Sequence, residues 1–399
     1  MSAIDNNPGL LVLSSSFPTE PGSIAGGGAF VEKLCNELNT KFDVTVIAPY
    51  VHSEKELKHF TKIKVKQFKY FFSKGCNLTG GNGVFGNIKL HPLLVFKVPF
   101  FLFFQFICLI KSIKKDNIKL CHAHWLLPQA LQLVIAKKVF FRSNLKILLT
   151  IHGSDINKFK SPLFRKLILW ILNNVDAITV VSNGLKKDLH EFGVKKNIDV
   201  FPMGVDMDLF QNLNLEKDQN KILYVASISE KKGLYDLFDA LAMLIKDYPK
   251  AYLEIVGTGD NSNFLSYAEK INIQNNINWV GKVNNKHLPE HYNKAKVFIL
   301  PSHSEGLGLV SIESMACECL TLVSELPATK DYLVPSKTGL FTQPQDPNSI
   351  YNTLKLVFDG GVDKEQITKN ARELVKKQYS WEKVTENYLS ILKAFNNEH

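Results

Sequence analysis

The chain has 399 residues, 45% of them hydrophobic and 27 of them Phe, which is long for a single core and sets two domains as the expectation. Its formal charge of +10 is not that of a nucleic-acid binder, because all but three of the 48 basic residues are Lys, whereas contacts to phosphate and guanine draw on the fork of Arg. An anionic membrane surface is the better match for such a charge, although lysines scattered along helical segments also fit a compositional bias.

The six Cys, at positions 35, 76, 108, 121, 317 and 319, form no Cys-x-x-Cys pair. They read as small buried hydrophobes in a reducing, cytoplasmic setting. No basic stretch leads into an apolar run at the N-terminus, so no secretory signal is expected.

Taken in order, Leu10 to Leu13 is an apolar strand, followed by the loop FPTEPGSIAGGGAF and a helix with Phe30, Val31, Leu34 and Leu38 on one face. Val44 to Ala48 is the next strand. This is the β-loop-α-β opening of a doubly wound sheet. Gly26-Gly27-Gly28 lets backbone approach a ligand closely. Without a G-x-G-x-x-G pattern, or an acidic residue closing the second strand, a nicotinamide cofactor is not expected.

From Leu93 to Ile110 only Lys97 and Gln105 are strongly polar. The length sits at the low end of the roughly 17–25 residues that span a bilayer, and Pro99 and Lys97 count against spanning. With Lys111, Lys114 and Lys115 following, the expectation is a helix partly buried and partly in contact with a membrane surface. A wholly buried packing helix is the alternative.

His122 and His124 lie two apart at a strand end and so point to one side. They are either core histidines or polar groups of a site, and no further metal ligand accompanies them. A helix from Pro128 to Val139 comes next. The strand Lys146 to Ile151 ends in His152-Gly153-Ser154-Asp155, the position where α/β folds gather active-site groups. Asp155 either holds the imidazole or caps the succeeding helix. That helix, with Leu163, Leu167 and Trp170, and strands at Ala177–Val181 and Asp199–Phe201 complete this half. The turn Pro202–Asp206 reads as the domain boundary and QNLNLEKDQN as a linker.

Ile222 to Val225 opens a second β-loop-α-β unit. Its loop carries Lys231-Lys232-Gly233 directly before a helix, where cations oppose the helix dipole unless an anion lies between them; a solvated charged turn is the plainer reading. Strands at Ile277–Val280, Val297–Leu300 and Thr321–Val323 come after it. A final helix from Trp381 to Phe395 has Val384, Tyr388, Leu392 and Phe395 on one face. Between Pro301 and Ala316 a strand passes through a Gly-bearing loop into a helix with Leu309, Ile312 and Met315 at helical spacing. That arrangement offers unpaired N–H groups to a phosphate. Glu305 and Glu313 flank it, and sugar hydroxyls are suitable donors to such carboxylates. The chemistry suggested is a sugar carried on a phosphate, against the bland alternative of two solvated glutamates.

Eight pieces in this order, SSFPTEPGSIAGGGAFVEKL, HAHWLLPQA, TIHGSDI, VVSNGL, FPMGVD, LYVASISEKKG, VGTGD and SEGLGLVSIESMA, resemble a retaining glycosyltransferase of family 4 over nearly the whole chain. The likeness extends to members that build cell-surface polysaccharides on lipid carriers. It implies an α/β GT-B fold, two Rossmann-like doubly wound domains facing a central cleft, over residues 1–205 and 206–380. Residues 381–399 are then a helix returning to the first domain.

The resemblance implies a nucleotide-sugar donor held mainly by the second domain. Glu313 would hold the ribose and Glu305 the transferred sugar. Backbone N–H groups of Gly306, Leu307, Gly308, Leu309 and Val310 would lie by the sugar and phosphates, with Lys232 on the diphosphate and Gly27 and Gly28 bordering the phosphates. His152 would face the sugar. The first domain, with His122, His124 and Asp155, would be the acceptor side. Retention in this family uses no obvious carboxylate nucleophile, and the leaving diphosphate is a candidate base, so positioning and charge stabilisation carry the reaction. No cofactor and no metal are implied.

The expected partners are a nucleotide-sugar, a glycan or lipid-linked acceptor and the inner face of a membrane. Ala226-Ser227 stands where the family often has Gly-Arg. Ser227 therefore removes one cation of the diphosphate clamp, and Lys231 is the substitute at hand, without the Arg fork. A non-catalytic subunit of the same fold and a nucleotide-sugar epimerase are the alternatives.

Overall fold

The structure, a computed structural model, describes residues 7–18, 28–50, 60–79, 83–141, 144–153 and 162–397. The described residues fall into two compact units. One takes the chain to Val181, then Leu185–Phe201 and the C-terminal helix from Val384. The other takes Ser182–Gly184 and Pro202–Lys383.

In the first unit seven strands form one parallel sheet: β1 (Gly9–Leu13), β2 (Asp43–Pro49), β3 (Lys64–Phe68), β4 (Leu120–His124), β5 (Lys146–Ile151), β6 (Ala177–Val180) and β7 (Asp199–Val200). Their spatial order is β3-β2-β1-β4-β5-β6-β7, so the winding reverses between β1 and β4. In a doubly wound sheet a ligand sits beyond the carboxyl ends of the strands at such a reversal. The strands β1 and β5 are nearly continuous apolar runs, and β4, though it carries two His, is buried throughout. Sequence patterning missed β3, whose alternating Lys64, Lys66 and Gln67 disguise a strand at the sheet edge.

The second unit repeats the plan with six parallel strands: β8 (Asp218–Val225), β9 (Tyr252–Val256), β10 (Ile277–Gly281), β11 (Ala295–Leu300), β12 (Thr321–Ser324) and β13 (Leu340–Thr342). The order β10-β9-β8-β11-β12-β13 puts the reversal between β8 and β11. Two glycines let the loop after β8 meet its neighbours on either side, after β9 and after β11. A Cβ on Gly257 would lie 1.8 Å from the Ala226 carbonyl oxygen, and one on Gly233, which has φ +72°, 1.9 Å from that of Pro301. Only glycine fits these backbone approaches.

The segment expected to be a linker is fastened down instead. Asn293, on the helix Leu288–Lys294, accepts from Leu213 N at 2.7 Å and donates to the Gln211 carbonyl at 2.9 Å. The helix expected at 128–139 starts at Leu126 and is irregular at both ends. All six Cys are free thiols.

The helix Trp381–Asn397 buries Val384, Tyr388 and Leu392. From Val384 on it belongs to the first unit, where the Tyr388 ring lies 5.3 Å from Phe201.

A buried charge cluster ties β8, β9 and the Leu288–Lys294 helix together. Glu254 Oε1 is 2.6 Å from both Lys221 Nζ and His291 Nδ1. Burial pushes the Glu254 carboxyl up, but the His291 and Lys221 partners more than offset this and hold it below its ordinary value. Replacing Glu254 by Ala leaves Lys221 as a buried cation without its counter-ion, an effect of about 3 kcal/mol, read as a lowered urea midpoint. Gly233→Ala meets the Pro301 carbonyl and costs more than ~1 kcal/mol, read as a lowered thermal midpoint.

Candidate active site

In the second unit both loops at the winding reversal carry the expected groups, and they meet. Lys232 closes the short turn Glu230–Lys232 after β8, while Glu305 lies in the loop after β11. Lys232 Nζ is 2.5 Å from Glu305 Oε1, with side-chain exposures of 19% and 8%. Ser302 Oγ donates to the same carboxylate oxygen at 2.7 Å. His303 N donates to the Lys231 carbonyl at 2.9 Å, and the His303 ring reaches Asp236 at 2.6 Å, closing a second link between the two loops. Ser227 is exposed just beyond the end of β8, and Lys231 is exposed beside Lys232.

Helix Leu309–Ala316 starts directly behind this pair. Its N-cap is Gly308 at φ +82°, with no side-chain cap, so the first-turn N–H groups at Leu309 and Val310 have no intrahelical acceptor. Gly306 is part-buried and Leu307 buried in the approach to them. A Cβ on Gly308 would lie 2.9 Å from the Tyr332 hydroxyl and 3.7 Å from Ser311 Oγ. Burial and the nearby Glu305 carboxylate push the Tyr224 phenol up. Its hydroxyl, like Ser229 Oγ, is buried without a hydrogen-bond partner among the described residues. Buried unpartnered hydroxyls near an uncapped helix end are a polar environment that a charged ligand can satisfy.

Glu313 lies further along the same helix, buried, and accepts from the Tyr292 hydroxyl at 3.2 Å. Burial raises its carboxyl from 4.5 to about 8, with the Tyr292 bond pulling the other way. At neutral pH it therefore holds a proton for most of the time.

In the first unit the histidines converge. His122 and His124 are fully buried on β4. His122 Nε2 is 2.7 Å from Thr150 Oγ1, which bonds Thr179 Oγ1 at 2.7 Å and lies 3.4 Å from the Tyr388 hydroxyl. His124 Nδ1 is 3.0 Å from His152 Nε2, with the rings stacked at 5.3 Å. Burial, with the neighbouring imidazoles second, pushes His122 down to about 3 and His124 well below its ordinary value. Burial alone takes His152 to about 3. All three are neutral at physiological pH.

The first two are thus core histidines, the alternative left open by the sequence, and His124 orients His152. Phe30 and Trp125 flank the His152 ring at 4.9 and 5.0 Å, and Trp125 sits at φ +73° directly after β4. Gly28 starts the helix Ala29–Leu38 so near β1 that a Cβ would fall 2.3 Å from the Ser16 carbonyl oxygen.

Gly27 and Asp155 lie outside the described residues. No group of three or more His, Cys, Asp or Glu side chains is arranged to hold a metal ion among the described residues. Sequence reasoning overlooked Ser302, Tyr292, Phe30 and Trp125, which secure the named residues. Their types are too common for any local pattern to reveal that role.

Two sequence families match the chain: Glycosyltransferase Family 4 over residues 24–209 and Glycosyl transferases group 1 over residues 206–374. The capsular polysaccharide biosynthesis glycosyltransferase CapM of Staphylococcus aureus is 24% identical over 61% of this chain and 70% of its own length. Sucrose-phosphate synthase from Thermosynechococcus elongatus superposes with a TM-score of 0.80 at 20% identity, over 98% of this chain and all of its own. HepE from Anabaena, solved in complex with UDP-glucose, gives 0.71 at 14% identity over 96% and 99% of the two chains. At such identities the two structures speak for the fold, and they agree with the pair of parallel doubly wound sheets. With the family matches running almost unbroken from residue 24 to 374, the chain belongs to the GT-B glycosyltransferases of family 4.

Proposed function

We propose that this glycosyltransferase moves a sugar from a nucleotide-sugar donor to a glycan or lipid-linked acceptor with retention of anomeric configuration. Its product would enter a cell-surface polysaccharide made at the inner face of a membrane. The likeness to CapM supports the polysaccharide, and the UDP-glucose complex of HepE supports the donor class. The observation that carries the reading is the part-buried Lys232–Glu305 pair in front of an uncapped helix end.

The pair has a function in the ligand-free protein: it keeps two partly desolvated charges satisfied. A donor diphosphate competes for Lys232 and for the N–H groups at Leu309 and Val310, where the helix dipole favours its charge. Glu305, released from Lys232 but still held by Ser302, then accepts hydrogen bonds from sugar hydroxyls. As the glycosidic bond breaks, charge grows on the leaving diphosphate, and Lys232, Lys231 and the helix end stabilise it in place of a divalent ion. Ser227 adds no cation, so Lys231 carries the share an Arg would otherwise take. In the first unit His152, neutral and oriented by His124, stands at the carboxyl end of β5.

Transfer of labelled sugar from UDP-, GDP- and ADP-sugars to a lipid-linked acceptor, with the product anomer read by NMR, tests this directly. Glu305→Ala and Lys232→Ala should each lower kcat/KM by roughly 100-fold or more. An inverted product, or activity indifferent to both changes, removes the mechanism. Absence of any nucleotide binding by calorimetry would favour the non-catalytic subunit suggested by Ser227.

Glu313 gives a prediction with a definite sign. Ribose hydroxyls donate best to an ionised carboxylate, and this one ionises only near pH 8. Nucleotide affinity should therefore rise with pH, by at most roughly tenfold per unit below 8. Between about 4.5 and 8 the folded chain holds a proton there that the unfolded chain has released, so Glu313 makes the protein less stable as pH rises through that window. Glu313→Gln should abolish both trends, with calorimetry reading the first and thermal midpoints from pH 5 to 8 the second.

A further inference from the structure

The whole of the chain's net positive charge is concentrated in one stretch. Between Thr61 and Phe141 there are 13 Lys and a single acidic residue, Asp116. That stretch therefore carries +12, and the rest of the chain, with 35 basic and 37 acidic residues, carries −2. The positive charge is thus a local feature, set by a stretch almost free of acidic residues.

The same stretch holds the most exposed of the large apolar side chains among the described residues. Phe72 is 86% exposed, Leu93 77%, Phe96 71%, Phe103 60% and Val139 63%. They come from three separate segments, and the fold joins them. Phe71, next to Phe72, packs edge-on against Phe100 at 6.4 Å, and Lys97 lies over the Phe71 ring at 4.9 Å. At the other end Phe106 meets Phe140 at 6.2 Å, with Lys114 over the Phe140 ring at 5.7 Å. One continuous aromatic face results, fringed by Lys74, Lys111, Lys115 and Lys138, all exposed.

Pro92–Lys115, 24 residues, is long and apolar enough to cross a bilayer. Its packing excludes that orientation. The helix Val98–Lys115 buries Phe101, Gln105, Leu109, Ser112 and Ile113 along one stripe. Lys66, on β3, reaches Ser112 at 3.2 Å and Asp116 at 2.6 Å. The Leu102 carbonyl accepts from Gln132 at 3.0 Å. The chain enters this segment from β3 and leaves it into β4, two strands of one sheet, so both ends of the helix stay on the same side.

We propose that this face is a monotopic membrane-insertion surface: the aromatics of segments 71–72, 93–106 and 139–140 enter one leaflet of a bilayer rich in anionic lipid, and the surrounding lysines rest on its headgroups. A soluble protein rarely leaves a contiguous apolar patch of this kind in water. An in-plane helix with lysines at its border suits the interface between headgroups and acyl chains. A second copy is the poorer occupant, because two such faces would set lysine fringe against lysine fringe. The inference extends the membrane part of the proposed function and is independent of its chemistry.

The test is co-sedimentation of the full chain with vesicles of phosphatidylcholine alone or mixed with phosphatidylglycerol. The native chain should bind the mixed vesicles strongly, bind the neutral ones weakly, and keep part of its binding in high salt, since insertion is not screened. The triple variant Phe72→Ser, Phe96→Ser, Phe103→Ser should lose ~100-fold or more in partitioning, while its thermal midpoint and its nucleotide affinity stay unchanged because all three rings are exposed. Three results would overturn the proposal: no binding of the native chain to either vesicle, equal binding by the variant, or a concentration-dependent dimer in light scattering that the variant dissolves. Vesicle binding by a chain without transferase activity would uphold this surface and count only against the proposed reaction.

Discussion

Gly233 and Pro301 touch backbone to backbone, closer than any side chain would permit, and the candidate site of the second unit is built on that contact. It brings the turn after β8 against the loop after β11 at the point where the sheet reverses its winding. Lys232 precedes the contact by one residue and Glu305 comes four residues after it, so the two side chains close into a part-buried ion pair. The left-handed Gly308 then turns the chain into a helix whose first N–H groups have no internal acceptor. A cation, a carboxylate and a helix end thus lie within one small region, and the glycine is what lets the two loops approach so closely.

The first unit uses its own winding reversal differently. At its centre is a neutral, hydrogen-bonded row in which Thr150 links His122, Thr179 and Tyr388, while His124 supports His152. Each of these histidines is paired at one ring nitrogen, which fixes its orientation, while His122 Nδ1 and His124 Nε2 have no partner among the described residues. Tyr388 arrives from the far end of the chain, on the C-terminal helix that belongs to this unit. The sheet thus gains a rigid imidazole at the end of β5, flanked by Phe30 and Trp125.

Much of the site was legible locally. A β-branched run followed by a Gly-bearing loop and helical spacing places Glu305 and Glu313, and the cations at Lys231 and Lys232 mark a helix start that an anion would relieve. Local pattern did not show that Lys232 and Glu305 satisfy one another, that burial keeps Glu313 protonated, or that His122 and His124 are interior. Each depends on what another part of the chain places within a few ångströms. β3 and the stretch 211–217 were misjudged for the same reason. Their polar residues look like a loop or linker until Lys66 finds Asp116 and Asn293 finds the backbone around Gln211 and Leu213.

By itself the sequence determined two doubly wound sheets, the glycines that allow their loops to approach, and the residue types gathered at the strand ends. These come from periodicity and backbone freedom within a few residues. Only the tertiary structure decided which of those residues meet. In a parallel sheet each strand is reached by a long crossover, so neighbours across a winding reversal are distant in the chain: Lys232 and Glu305 are 73 residues apart, His124 and His152 are 28. The aromatic face shows the same division. Each Phe is visible in the sequence, but three segments become one surface because β2, β3 and β4 hold them on one side of the sheet.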